Sequence, residues 1–241
     1  MGFIDIHTHI LPGVDDGAET IEDSIALLEQ EKANGVSSVV LTPHFYPAIH
    51  SFDEHYEKCK NAFDQLKEAI KDKDLPEIFL GFEVQYFSGI SRSDKLDKLC
   101  FEGTNILLLE IPFLDPLTEN MINEIIKLDM EIGLSVIIAH IERYSKERLY
   151  KKLLKAVSDK HAKAQISSDF ITDNHIKKTV YKLLKNNLVD YIASDAHSVK
   201  DRPVLLSEAL RNLRVDYHPQ LVNFYKNSAR LEDTLKGIND D

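Results

Sequence analysis

The sequence holds two cysteines in 241 residues, and their scarcity excludes more than it offers. Cys59 and Cys100 have neither the spacing of a metal clamp nor the number for a disulfide framework. Neither opens a Cys-x5-Arg loop, because Gln65 and Ile106 stand six residues on, which closes the thiolate route to phosphoryl transfer. No apolar run approaches the length of a membrane span, so direct membrane insertion is not expected. Low-complexity stretches, linkers and sequence repeats are also missing. Strand-like sequence begins at residue 3, from which we expect no targeting leader; with so little cysteine, a cytoplasmic location follows as the expectation. Positive charge is in deficit, with 29 Lys and Arg against 40 Asp and Glu and a net charge of −11. That balance speaks against broad contact with nucleic acid or anionic lipid. Only divalent cations gathered at one spot would make a phosphate welcome.

What the sequence does have is an alternation. Strand-like apolar runs at 3–6, 36–41, 78–84, 106–109, 134–139, 164–166 and 189–193 are separated by helical patterns. Thr20 with Asp23, Ser51 with Glu54, Thr118 and Asp173 are the expected helix caps, and Gly35 is the first stop. The stripe Phe52, Tyr56, Cys59, Phe63, Leu66 and Ile70 predicts a long amphipathic helix. Strands alternating with helices along the chain predict parallel βαβ units, an α/β fold in a single domain over 1–241. Seven strands rather than eight predict a distorted (β/α)7 TIM-like barrel, with an open sheet as the other arrangement.

The polar residues fall at strand ends. His7-Thr-His9 and Asp195-Ala-His197 each place two ligand-type side chains two residues apart, a spacing that in a strand directs both to one face. His44, Glu83, Glu110 and His140 follow or end the intervening strands, at the C-terminal side where a barrel gathers its loops. Imidazole and carboxylate without thiolate is the donor set of zinc, manganese or iron in hydrolytic sites. So many donors exceed one ion, and Glu83 is the natural bridging carboxylate. One buried His or Glu at a strand end is usually hydrogen-bonded core. Charges gathered around one mouth without a cation would be costly. His50, His55, His161, His175 and His218 are expected on the surface, and Asp5 either orients an imidazole or caps the backbone.

Taken together, Asp5–Gly17, Thr42-Pro-His44, Gly81-Phe-Glu83, Ala139-His-Ile-Glu-Arg-Tyr144 and Ser194-Asp-Ala-His197 resemble the PHP (polymerase and histidinol phosphatase) superfamily. Within it they are most similar to the bacterial manganese-dependent protein tyrosine phosphatases of capsule and exopolysaccharide operons, the CpsB/YwqE/CapC type. The resemblance runs from residue 3 to about residue 230 and implies a distorted barrel of the PHP type. It implies three divalent ions, manganese first, with iron or zinc as alternatives. One would take His7, His9, Glu83 and Asp195; a second would share Glu83 and add Glu110 and His140; a third would take Asp16, His44 and His197. Arg143 and Arg202 would steady phosphate oxygens, and Phe45, Tyr46 and Tyr144 would wall a phenyl ring. The segment Gln165–Phe170 departs from the family wording, and neither Ser167–Asp169 nor the loop 45–52 receives a role. The implied reaction is hydrolysis of phosphotyrosine by a metal-activated hydroxide. The implied substrate is the C-terminal tail of a cognate tyrosine autokinase regulating polysaccharide synthesis. Oligomeric state stays open. The rivals are a PHP phosphoesterase for a small metabolite such as histidinol phosphate, an amidohydrolase, and a metal-stabilised subunit without turnover. Short βα loops speak against the first, and the lack of a strand-end lysine against the second.

Overall fold

The computed structural model describes residues 3–112, 115–214 and 217–238. Nine strands and seven α-helices alternate among them: β1 (Phe3–Thr8), α1 (Ile21–Ala33), β2 (Val36–Leu41), β3 (His44–Phe45), α2 (Phe52–Ile70), β4 (Glu77–Leu80), β5 (Glu83–Gln85), β6 (Ile106–Glu110), α3 (Glu119–Met130), β7 (Ser135–Ile138), α4 (Tyr150–Ser158), β8 (Lys163–Ser167), α5 (Asn174–Lys185), β9 (Tyr191–Ala193), α6 (Leu206–Leu213) and α7 (His218–Leu235). The helix starts obey local chemistry. Thr20 and Asp23 form the reciprocal capping box of α1, Thr118 accepts from Met121 N on α3, and Asp173 accepts from His175 N and Ile176 N on α5. Ser51 departs from expectation: it stands before α2 with extended backbone and makes no side-chain cap bond.

Every strand pairing is parallel. One sheet runs β1-β2-β4 and the other β3-β5-β6-β7-β8-β9. The two are one curled sheet in two pieces. Gly81 N donates to Leu41 O at 2.9 Å and Glu83 N to Pro43 O at 3.1 Å, carrying the pairing across the break. At the far edges Thr8 bridges Ala196, and Asp195 N donates to His7 O at 2.9 Å. The seven strand positions therefore curl into the distorted barrel.

Two expectations need correction. The run at 78–84 is not one strand: it breaks at Gly81-Phe82, so Glu83 opens β5 instead of ending a strand. His44 likewise lies on a strand of its own, paired in register with Glu83. The reasons are local. Pro43 has no N–H for a ladder. At Gly81 a Cβ would lie 2.5 Å from a Phe101 ring carbon and 2.9 Å from Val40 Cγ1, so the backbone approaches too closely for a side chain. The α2 stripe packs as expected, with Cys59, Phe63, Leu66 and Ile70 buried in the main core between helices and sheet. A second cluster contains Ile4, Ile6, Val40, Leu108, Ile137 and Ala193 from successive strands and fills the ring. No helix among the described residues is long and apolar enough to cross a membrane. Both cysteines are free and buried.

Candidate metal centre

Strand order brings the two ends of the chain together, and with them the predicted donors. His7 Nε2 lies 3.2 Å from His9 Nε2, 3.3 Å from Glu83 Oε1 and 3.5 Å from Asp195 Oδ1. His9 Nε2 is 3.4 Å from Glu83 Oε2. His140 Nε2 reaches Glu83 Oε1 at 2.9 Å and Glu110 Oε1 at 3.5 Å. On the other side, Asp16 Oδ1 stands 3.3 Å from His44 Nε2 and 3.4 Å from His197 Nε2. All nine predicted donors thus meet in one cluster. Their converging atoms fall into four overlapping groups: His9, Asp16, His44 and His197; His7, His9 and Asp195; His7, Glu83 and His140; His44, Glu83 and Glu110. Glu83 is buried and touches His7, His9, His44 and His140. Asp16 is the exposed member at the rim.

Four of the five imidazoles are turned by a partner on the far nitrogen. The amide oxygen of Gln165 lies 3.1 Å from His7 Nδ1 and accepts from His140 N at 2.8 Å. Asp15 Oδ2 lies 2.8 Å from His9 Nδ1 and accepts from His44 N at 3.1 Å. Tyr144 Oη donates to Ile111 O at 2.9 Å, so the 3.4 Å contact with His140 Nδ1 leaves the imidazole to donate. His197 Nδ1 faces the Asp195 carbonyl at 2.9 Å. With protons held on those nitrogens, the lone pairs of His7, His9, His140 and His197 point into the cluster. His44 differs, offering Nδ1 toward Glu83 and Nε2 toward Asp16.

These residues fit divalent cations. The buried His44 Nδ1 and His197 Nε2 make no hydrogen bond, although His44 Nδ1 is 2.8 Å from Glu83 Oε2. Short contact without alignment is what two donors aimed at a common ion produce. Asp15, Asp16, Glu83, Glu110 and Asp195 outnumber Arg143 and Arg202, so without a cation the balance has to be made by protons. The proton affinities of the cluster follow the same demand. Burial pulls His44 down, but the carboxylates of Asp16 and Glu83 outweigh it and lift the imidazole to about 9. Burial together with the neighbouring Glu83 charge raises Glu110 to about 7. Burial also raises Asp15, but His9 and two backbone N–H groups hold it down at about 2.

Arg143, in the 3-10 turn Ile141–Lys146, donates to Asp195 Oδ2 at 2.5 Å, and Arg202 donates to the same oxygen at 2.9 Å. The predicted arginines therefore converge on a predicted ligand, and both remain partly exposed at the mouth. The aromatic wall reduces to Tyr46, stacked on His44 at 4.7 Å between centroids. Phe45 and Tyr144 are buried beneath the site and cannot wall a ring. Asp5 takes the backbone-capping option, accepting from His7 N and Ser194 N. His55 is not a surface residue: it is buried, and its Nε2 donates to His44 O at 2.9 Å. His175 is exposed, His50 and His161 are half-buried, and the side chain of His218 lies outside the described residues. Gln165, Asp15 and His55 were missed as site residues.

The chain resembles known proteins along most of its length. A family model for capsular polysaccharide synthesis proteins, CpsB/CapC, matches residues 3–231. Tyrosine-protein phosphatase YwqE of Bacillus subtilis is 30% identical over 234 residues, covering 95% of this chain and 90% of that protein. Tyrosine-protein phosphatase CpsB of Streptococcus agalactiae is 30% identical over 229 residues, covering 91% and 93%. A solved chain from the work on YwqE of Bacillus subtilis and CpsB of Streptococcus pneumoniae, described as unique metal-dependent tyrosine phosphatases, superposes with a TM-score of 0.81 at 28% identity. It covers 99% of this chain and 96% of that one. Histidinol phosphate phosphatase of Lactococcus lactis, solved with zinc, L-histidinol and phosphate, reaches a TM-score of 0.54 at 16% identity over 88% and 92% of the two chains. That second likeness is one of fold alone.

Proposed function

We propose, on the premise that this chain belongs to the CpsB/CapC family of capsular polysaccharide synthesis proteins, that it is a metal-dependent protein-tyrosine phosphatase. The observation that carries the reading is the meeting of two guanidinium groups on Asp195 inside a cluster of five imidazoles and buried carboxylates. We assign His7, His9, Asp16, His44, Glu83, Glu110, His140, Asp195 and His197 to three divalent ions, manganese first. Such ions, when bound, neutralise phosphoryl oxygens and lower the pKa of water toward neutrality.

The chain's own residues supply the rest. Each arginine spends one Nη2 on Asp195 Oδ2, and the remaining donors of the two planar forks are available to equatorial phosphoryl oxygens. Asp195 thereby holds the forks at a fixed distance from the ligand cluster, and no reorganisation is needed when charge develops. Tyr46, half-buried and stacked on His44, offers a flat face to the phenyl ring; burial and then the neighbouring carboxylates push its own phenol upward, so it stays neutral. The phenolate leaving group, with a parent pKa of about 10, needs less protonation than an alkoxide. Neither thiol competes as a nucleophile, since burial raises Cys59 and Cys100 to about 12.

We read the chain as a single domain, because the backbone just past β9 bridges back to β1 and closes the sheet. As substrate we propose the tyrosine-phosphorylated tail of a bacterial tyrosine autokinase, with both proteins in the cytoplasm where ATP is made available to the kinase. The test is phosphate release from a phosphotyrosine peptide by chelator-stripped protein with and without manganese, beside histidinol phosphate. Manganese-dependent turnover of the peptide is expected. Preference for histidinol phosphate, or no turnover by folded and metal-loaded protein, overturns the reading.

A further inference from the structure

A groove of about 510 Å³ leaves the cluster at its Asp16–His197–Arg202 end. One wall is the start of α1 and the segment before it, with Ala18, Glu19 and Asp23; the other is the loop 198–202. Both walls are anchored to the ligand strands. Ala18 N donates to His9 O at 3.0 Å, and at Gly17 a Cβ would fall 1.9 Å from that same oxygen, so the backbone there lies against the metal centre. Opposite, His197 N donates to Arg202 O at 3.0 Å, the Ser198 hydroxyl accepts from Asp201 N and Arg202 N, and Gln30 Nε2 holds Val199 O at 3.0 Å. That loop keeps Val199 exposed over the groove. His197, whose Nε2 points back into the cluster toward Asp16, closes the inner end of the groove.

The charges are uneven. Glu19, Asp23 and Asp201 are exposed on the rim against Lys200, while Arg202 at the inner end pairs with Asp195 and keeps its remaining donors for the phosphoryl position. Asp23 also serves the Thr20 cap, which leaves Glu19 and Asp201 as the carboxylates free to meet a ligand. The size suits a few residues of extended peptide, and the fixed walls lower the ordering cost of binding.

We infer that this groove binds the peptide segment flanking the phosphotyrosine and selects basic side chains within it. The inference rests on the phosphatase reading for the chemistry at its inner end, and it names the class of sequence that the site accepts. A lysine of the substrate sits between Glu19 and Asp201, its stem against Val199, while the phosphorylated ring enters past Asp16 and His197.

The experiment uses the manganese-loaded full chain and fluorescent peptides carrying a non-hydrolysable phosphonomethyl phenylalanine, with either lysine or glutamate at the two positions on each side. Affinities are read by anisotropy at low ionic strength, and turnover of free phosphotyrosine is measured on the same preparations. We expect the lysine peptide to bind about fivefold more tightly, in keeping with one or two exposed ion pairs, with the difference fading in salt. In E19K/D201K the preference reverses, whereas the same charge change at Glu68 and Asp72, at the far end of α2, leaves it in place. Equal affinities in the parent chain overturn the inference, and so does a preference that survives E19K/D201K. Turnover of phosphotyrosine without charge preference removes the groove and leaves the phosphatase reading standing. Charge preference without turnover does the reverse.

Discussion

Gln165 is the residue on which the orientation of the cluster turns. Its amide oxygen faces His7 Nδ1 at 3.1 Å and His140 N at 2.8 Å, and the side chain is fully buried. One acceptor therefore fixes the tautomer of His7 and the backbone of His140, two candidate ligands from strands on opposite sides of β8. In Gln165→Leu, of similar shape, both donors lose their partner with no water to replace it. An unsatisfied buried donor costs about 1–3 kcal/mol, so for the two we expect the metal-free chain to lose about 2–6 kcal/mol. His7 is then free to carry its proton on Nε2, the nitrogen that faces Glu83, His9 and Asp195. Manganese affinity should fall about 10- to 100-fold, the usual consequence of removing a ligand's orienting partner. Gln165→Glu keeps an acceptor in place and should retain most of that affinity. Calorimetric titration of manganese into stripped protein measures the loss, and thermal unfolding measures the stability. A Gln165→Leu chain that binds manganese within about twofold of the parent would refute the reasoning.

Arg143→Ala and Arg202→Ala should each lower kcat on a phosphotyrosine peptide about 10²- to 10³-fold, with the lysine variants recovering only part because a point charge lacks the planar fork; near-normal kcat in either alanine variant would remove that arginine from the site. Metal-free protein should lose stability as pH rises from 7 to 9, read as a falling Tm. His44 is raised by carboxylates to about 9, and a raised base gives its stability below its ordinary value and loses it as pH climbs through the folded one; Glu142, lifted by burial to about 8, loses stability over the same rise. Manganese affinity should increase across that range, since binding must displace the His44 proton; a flat Tm from pH 7 to 9 would contradict the stability statement, and a flat affinity the binding one. Gly81→Ala should cost about 1–3 kcal/mol, because its Cβ would meet Phe101 and Val40; chemical denaturation showing no loss would mean that the break between β4 and β5 does not depend on that close approach.

Which residues were legible follows from what each residue type signals. His and Asp pairs two apart at the end of an apolar run carry a chemical signature, and the structure gathers all nine of the predicted donors. Gln165 carries none: an amide within Ala164-Gln165-Ile166 looks like an ordinary polar intrusion until strand order sets it between His7 and His140. Asp15 was hidden by Asp16 beside it, because a turn explains both. His55 could have been found. It precedes Cys59, Phe63, Leu66 and Ile70 on the buried face of α2 at helical spacing, and a histidine on that face needs a partner, here His44 O. The Ser51 cap failed because a capping residue type does not by itself fix the geometry, and no side-chain bond forms.

Periodicity also missed the interruptions, and these are what build the mouth. The barrel strands do not simply end at the ligands. Pro43 and Gly81 break two neighbouring strands at the same level, and His44 and Glu83 resume in register directly beyond, side by side. His140 and Asp195 adopt positive φ angles of 31° and 54°, a conformation costing a non-glycine residue roughly 1–2 kcal/mol. Such conformations persist only where the surroundings over-determine them. At His140 the Gln165 amide takes the N–H, and at Asp195 the N–H goes to His7 O while Ala196 bridges back to Thr8. The left-handed turn lets Asp195 face the cluster before His197 follows on the Asp16 side. Seven regular strand ends would deliver donors around a rim. Two paired breaks and two left-handed residues fold them inward onto Glu83, which is why one carboxylate touches four imidazoles.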